Sequence, residues 1–262
     1  MFALPALLAA GLPLVVPPPT PLPAAHAHND YEHPRPLFDA LARGFCSVEA
    51  DVWLRKEGLL VAHTAFGLKP DRALQALYLD PLRERAKRNG GRVYPDGPPF
   101  VLMIDVKTEA KETWAALAEV LAGYADILTV TKDGKTTPKA VTVVVSGNAD
   151  RAGIGKGAVR YAAIDGRPKD LDGDPPADLI PWVSDAWKNH FAWDGTGAMP
   201  AGERAKLGEY VAKAHKQGRK VRFWASPETP AAWEELLAAG CDLINTDKLD
   251  DLRAFLRERA ER

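Results

Sequence analysis

Ser47-Val48-Glu49-Ala50-Asp51-Val52-Trp53-Leu54 is followed, across Arg55-Lys56-Glu57-Gly58, by Leu59-Leu60-Val61-Ala62-His63. Successive residues of a strand point to opposite faces and advance about 3.3 Å each, so Glu49 and Asp51 share one face ~6.6 Å apart. Val48, Ala50, Val52 and Leu54 line the other face. Gly58 and its neighbours reverse the chain and bring His63 back toward the acids. A barrel strand has this pattern when its apolar residues face surrounding helices and its acids look into the mouth. A solvated edge strand also reads Glu-x-Asp, so the choice falls to the remainder of the chain.

That remainder repeats apolar strand, turn and amphipathic stretch. Strands are expected at Ala24–Asn29, Ser47–Leu54, Phe100–Thr108, Val141–Ser146, Val159–Ile164, Leu179–Ser184, Lys220–Ala225 and Cys241–Thr246. Helical spacing of apolar residues occupies Arg35–Ala42, Asp71–Arg88, Glu109–Ala125, Gly202–Lys216, Pro230–Ala239 and Asp250–Arg259. Strands alternating with helices predict a parallel sheet, and eight such units predict one (β/α)8 TIM-type barrel of α/β class over residues 24–262. The links after the fourth and fifth strands are short and rich in Gly and Pro, so the helices there are expected to be reduced or missing.

The chain has 262 residues, with 34 basic against 35 acidic and no basic cluster interleaved with aromatics, which argues against a nucleic-acid partner. Cys46 and Cys241 make neither a disulfide framework nor a Cys-x-x-Cys metal pair and read as buried thiols. Residues 1–23 combine the apolar run Phe2–Val16 with Pro17-Pro18-Pro19-Thr20-Pro21. This reads as an export segment and stiff spacer, too short and too interrupted by Pro5 and Pro13 to span a bilayer. The expected location is periplasmic or secreted, and cytoplasmic if the start site is misassigned.

Barrel chemistry sits at the carboxyl ends of strands. There the chain carries His28-Asn29-Asp30, Glu49-x-Asp51, Asp105-x-Lys107, Ser146-Gly147-Asn148, Trp224-Ala225-Ser226 and Asn245-Thr246-Asp247. Two anions ~4 Å apart repel by roughly 4 kcal/mol at an effective dielectric near 20, so Glu49, Asp51 and Asp105 call for a cation. Their hard oxygens suit Mg²⁺, or Ca²⁺, rather than zinc. His28 and His63 supply a base and an acid near neutral pH, and Lys107 a fixed positive charge. Cations that hold phosphoryl oxygens while two imidazoles move protons converge on phosphodiester cleavage. Asn29, Trp224 and Asn245, also at strand ends, are expected on the substrate side.

The ordered series His28-Asn29-Asp30, Glu49-x-Asp51, His63 and Asp105-x-Lys107 resembles the phosphatidylinositol-specific phospholipase C-like and glycerophosphodiester phosphodiesterase-like barrels. The fuller pattern is similar to the branch of altered inheritance of mitochondria protein six. It includes Leu77-Tyr78-Leu79-Asp80-Pro81-Leu82, Val221-Arg222-Phe223-Trp224 and Asn245-Thr246-Asp247. The resemblance implies that His28 and His63 are catalytic, that Glu49, Asp51 and Asp105 hold metal, and that Lys107 lies beside the phosphate. It implies a glycerophosphodiester or (lyso)phospholipid-type substrate, a lipid diester bringing peripheral contact with a membrane. His-Asn-Asp replaces the His-Arg-Gly of glycerophosphodiesterases, which sets the small glycerol-type substrate in question. Two other readings compete. His26-Ala27-His28 imitates the His-x-His of zinc amidohydrolases, and a barrel without turnover would be a binding protein. Trp182, Trp187 and Trp193 serve either as a substrate wall or as core.

Overall fold

The computed structural model describes residues 19–262, and residues 1–18 of the expected export segment lie outside them. The eight barrel strands are β1 (Leu22–Ala27), β2 (Phe45–Arg55), β3 (Phe100–Val106), β4 (Val141–Gly147), β5 (Ala162–Gly166), β6 (Trp182–Ala186), β7 (Lys220–Trp224) and β8 (Leu243–Thr246). Each pairs in parallel with the next, and β8 pairs with β1, which closes the ring. A short strand, Gly58–Val61, folds back antiparallel on β2 through the Arg55–Gly58 turn. It carries His63 to the rim.

Register sets which side chains meet inside. Ser47, Glu49 and Asp51 lie opposite Val101, Met103 and Asp105, and the last two opposite Val144 and Ser146. The interior is therefore layered. Val101, Met103, Val144, Ala163, Trp182 and Leu243 make an apolar floor, and His26, Glu49, Asp165, Ser184, Arg222 and Asn245 form a buried polar layer above it. Val48, Ala50, Val52, Leu102, Ile104 and Val106 point outward into the main core.

That core is covered by α1 (Phe38–Ala42), α2 (Asp80–Arg88), α3 (Ala110–Ala122), α4 (Arg151–Lys156), α5 (Ala201–Lys216), α6 (Pro230–Ala238) and α7 (Leu249–Ala260). The reduction after the fourth and fifth strands is real: α4 has six residues, and β5 is followed only by the 3₁₀ turn Pro168–Leu171. Two expectations shift. Val159–Arg160 leaves the barrel to pair antiparallel with Thr131–Lys132 in a small outer sheet with Lys135–Thr137, and β5 begins at Ala162. The stretch from Asp71 becomes helical only at Gln75, as a wide turn running into α2. Trp182, Trp187 and Trp193 are all buried and belong to the core, the last two in an aromatic group with Phe191 and Phe223.

Candidate active site

β1 ends at Ala27, and Asn29 takes a left-handed conformation (φ 46°) that an asparagine tolerates better than most residues. This bend leaves His28 on the rim and tucks Tyr31 beneath it. His28 Nδ1 lies 2.9 Å from Asp247 Oδ1. A carboxylate only accepts, so Nδ1 carries the proton and Nε2 faces Glu49 Oε2 at 3.7 Å. Burial works against the charged ring, but the hydrogen bond to Asp247 and the Glu49 charge outweigh it and raise the His28 pKa above its ordinary value.

The second imidazole is held in the same way. Tyr31 donates its hydroxyl proton to Asn29 Oδ1 at 2.7 Å and stands 3.0 Å from His63 Nδ1. With that proton committed, the phenol oxygen accepts from His63 Nδ1–H. Both rings thus have Nδ1 pinned by the protein and Nε2 left for another partner.

The carboxylates divide into two groups. Asp51 and Asp105 share Lys107, whose Nζ lies 3.0 Å from Asp51 Oδ2 and 2.9 Å from Asp105 Oδ1. Burial pushes Asp51 up to about 6 despite the opposing charge of Lys107. Glu49 stands apart from them, with Arg222 Nη1 3.7 Å and His26 Nε2 3.9 Å from Oε2. Burial alone would raise its pKa, but His26, Arg222 and His28 bring it down to about 2. Glu49 Oε2 and Asp51 Oδ2 are buried, and among the described residues neither receives a directed hydrogen bond. Their contacts are ion pairs only. This is the donor chemistry of a hard divalent cation, which Glu49, Asp51 and Asp105 fit in kind. Among the described residues no three His, Cys, Asp or Glu side chains already stand together as a cage, and Lys107 is the cation between two of the three.

Asn29 and Asn245 have jobs inside the protein. Asn29 accepts the Tyr31 hydroxyl proton at Oδ1, while its Nδ2 lies 3.1 Å from His28 Nδ1 as a packing contact only, since both nitrogens are donors. Buried Asn245 accepts from Arg222 Nη1 at 2.8 Å. Trp224 is half-buried at the mouth, with the guanidinium carbons of Arg167 and Arg222 at 5.2 and 5.7 Å from its ring centroid.

Sequence reasoning missed Asp247, Tyr31, Arg222 and His26 as parts of this site. All four lay in view, in His26-Ala27-His28, Ala27-His28-Asn29-Asp30-Tyr31, Val221-Arg222-Phe223-Trp224 and Asn245-Thr246-Asp247, but only folding shows which partners they meet. His26 also removes the zinc alternative. Arg222 donates to its Nε2 at 3.0 Å and its Nδ1 meets Ser47 Oγ at 2.7 Å, so neither nitrogen is left for a metal. Complete burial pushes its pKa down to about 4, and the ring is neutral.

A closed parallel barrel whose strand ends gather this set of histidines and carboxylates falls within the phosphatidylinositol-specific phospholipase C-like and glycerophosphodiester phosphodiesterase-like superfamily. Residues 19–161 match the model described as the AIM6-like phosphodiesterase domain, and the chain belongs to that family. Residues 220–250 match the glycerophosphoryl diester phosphodiesterase family. Among curated relatives, altered inheritance of mitochondria protein 6 of Eremothecium gossypii is 29% identical over 89% of this chain and 69% of its own length. Among solved structures, a glycerophosphodiester phosphodiesterase from Parabacteroides distasonis superposes with a TM-score of 0.57 at 15% identity, over 90% of this chain and 98% of that one. A calcium-dependent phosphoinositol-specific phospholipase C from Pseudomonas sp. superposes with a TM-score of 0.55 at 13% identity, over 88% and 91%. Likeness at that identity establishes the fold.

Proposed function

We propose that this chain is a metal-dependent phosphodiester hydrolase acting on glycerophosphodiester or (lyso)phospholipid-type substrates, with His28 and His63 as its proton-transfer pair. The observation that carries the reading is tautomer control: two imidazoles on one mouth, each with Nδ1 held and Nε2 available. A barrel kept only for binding has no use for this. One ring in its neutral form takes a proton at Nε2 from the attacking group, and the other in its charged form gives one to the leaving oxygen. Asp247 and Tyr31 hold the rings in place for both events. Lys107 sets a fixed positive charge beside the phosphoryl oxygens.

Glu49, Asp51 and Asp105 would hold the cation, Mg²⁺ or alternatively Ca²⁺. When bound, it polarises the phosphoryl oxygens as a Lewis acid. The calcium-dependent neighbour and the glycerophosphodiester phosphodiesterase neighbour support the choice of a hard cation and of the substrate class. A lipid substrate would place the rim against a membrane, and residues 1–23 support export.

The test is turnover of a diester panel after exhaustive EDTA treatment, then with Mg²⁺ or Ca²⁺ restored, for wild type, His28→Ala and His63→Ala. Activity should vanish with chelation and return with metal, and each histidine variant should lose about 10²-fold to 10⁴-fold. The double variant should lose less than the product of the singles, because the pair acts as a unit. Full activity in EDTA would overturn the metal assignment, and an unimpaired His28→Ala the catalytic one.

A further inference from the structure

Proton transfer leaves unused a second charge cluster, on the half of the mouth away from the histidines. In the ring of eight, β5 stands opposite β1. Asp165 on β5 is 3 % exposed and turns inward, where Ser146 Oγ and Ser184 Oγ donate to its two oxygens at 3.0 and 2.6 Å. Arg167, two residues on, donates from Nη1 to Asp165 Oδ2 at 2.6 Å and from Nη2 to Ser146 Oγ at 3.2 Å. Arg222 Nη2 reaches the same Asp165 oxygen at 3.9 Å. One carboxylate therefore serves two guanidiniums, both close to the Trp224 ring.

The two arginines differ in access. The Arg222 side chain is sealed at 3 %, whereas that of Arg167 keeps 32 % of its surface open at the mouth. Arg167 Nε has no acceptor among the described residues. Its partners hold the guanidinium in one pose without using all of its donors. A planar fork fixed in this way suits a carboxylate or a phosphate. A quaternary ammonium would meet a like charge there, on a tryptophan ring already beside two cations. The β1–β3 half has the opposite character, with Asp51 and Asp105 sharing Lys107 and a third carboxylate, Glu49, beside them on β2. Charge is thus divided across the mouth.

We infer that Arg167, backed by Asp165 and Trp224, reads the headgroup, and that favoured phosphodiesters carry a second anionic group, a phosphate monoester or a carboxylate, on the portion reaching β5. This rests on the phosphodiesterase reading above. The test compares kcat/KM for two glycerophosphodiesters, one with a phosphate-bearing glycerol headgroup and one with choline, in wild type, Arg167→Met and Arg167→Lys. Wild type should favour the anionic headgroup by about tenfold or more. Arg167→Met should erase most of that ratio, and Arg167→Lys should keep part of it.

A wild-type preference for choline would overturn the inference, as would a ratio unchanged in folded Arg167→Met. If that variant does not fold, the wild-type ratio and Arg167→Lys decide. If no diester is cleaved with any metal, the phosphodiesterase reading fails by itself, and calorimetry judges the anion site separately. Glycerol 1,3-bisphosphate should bind wild type about tenfold more tightly than glycerol 3-phosphate, and Arg167→Met should equalise them. Equal binding to wild type would overturn the inference.

Discussion

Asp247 and Tyr31 each commit a hydrogen bond to one imidazole nitrogen, and the consequence is a protonation pattern rather than extra stability. Asp247 is half exposed, so its bond to His28 is screened and contributes little to folding. Its effect lies in the His28 pKa, which it raises. In Asp247→Asn that support is lost, the His28 pKa falls, and the corresponding limb of the pH–rate profile should move to lower pH. The rate should also drop by about 10²-fold to 10⁴-fold, because an amide can hold the wrong tautomer. A profile whose limbs do not move would show that His28 is oriented by something else.

Asp30, two residues beyond His28, works on stability. Its Oδ2 accepts from Leu37 N–H and Tyr78 OH, while buried Oδ1 has no partner among the described residues. Burial is the largest influence and pushes its pKa up from 3.8 to about 7. The folded state then binds this proton more tightly than the unfolded state. The stability gained is complete below about pH 4 and is lost as pH rises through about 7. Wild type should lose roughly 2–4 kcal/mol more than Asp30→Asn between pH 4 and 8, read from denaturant melts at both pH values. Parallel pH dependence in the two proteins would refute the assignment.

Among the elements, the junction after β4 sets the third carboxylate. Gly147 has φ +65°, and a Cβ there would press on Asp105 Oδ1 and Val106 O, closer than real Cβ atoms come. Gly147→Ala should therefore destabilise by about 1–3 kcal/mol and weaken divalent-cation affinity together. Thermal melts with and without metal, alongside a cation titration, check this. Loss of stability with unchanged affinity would detach Asp105 from the cation.

Element boundaries show where local pattern was enough and where it was not. β2, β3 and β4 fall close to expectation, because alternating apolar residues with one polar face have only one way to pack. Val159–Ile164 read as a single strand. In the structure its first residues follow Thr131–Lys132 instead, a pairing between segments with no mutual signal in sequence. The reduced helices after β4 and β5 were legible because Gly and Pro disfavour helix wherever they sit.

Across the whole molecule, charge is nearly balanced in sum and segregated in place. The formal net charge is −1, yet the β1–β3 half of the mouth carries Glu49, Asp51 and Asp105, the two aspartates sharing Lys107 and Glu49 facing Arg222. If these three carboxylates hold a divalent cation, binding to the folded state adds to its stability. At a hundredfold excess over its Kd, a divalent ion should add about 2.7 kcal/mol and raise Tm by about 5–10 °C. In Glu49→Gln the increment should shrink. Calorimetric scans with EDTA, Mg²⁺ and Ca²⁺ provide the measurement, and a Tm indifferent to all three would count against cation binding by these residues.

What the chain order alone determined is the barrel and the inventory of the candidate site. Apolar alternation is a local property, and polar residues at strand ends are conspicuous where a core strand should stay apolar. Glu49, Asp51, Asp105, Lys107, His28 and His63 could be read in this way without any coordinates. The relations among them were not legible there. Asp247 is 219 positions from His28 and Arg222 is 196 positions from His26, so nothing in the local pattern of either segment points to the other. Closure of β8 on β1 makes those contacts, and with them the tautomers, the neutral His26 and the two-sided charge of the mouth. Hydrogen-bond direction and burial depend on neighbours in space, and only the tertiary structure supplies them.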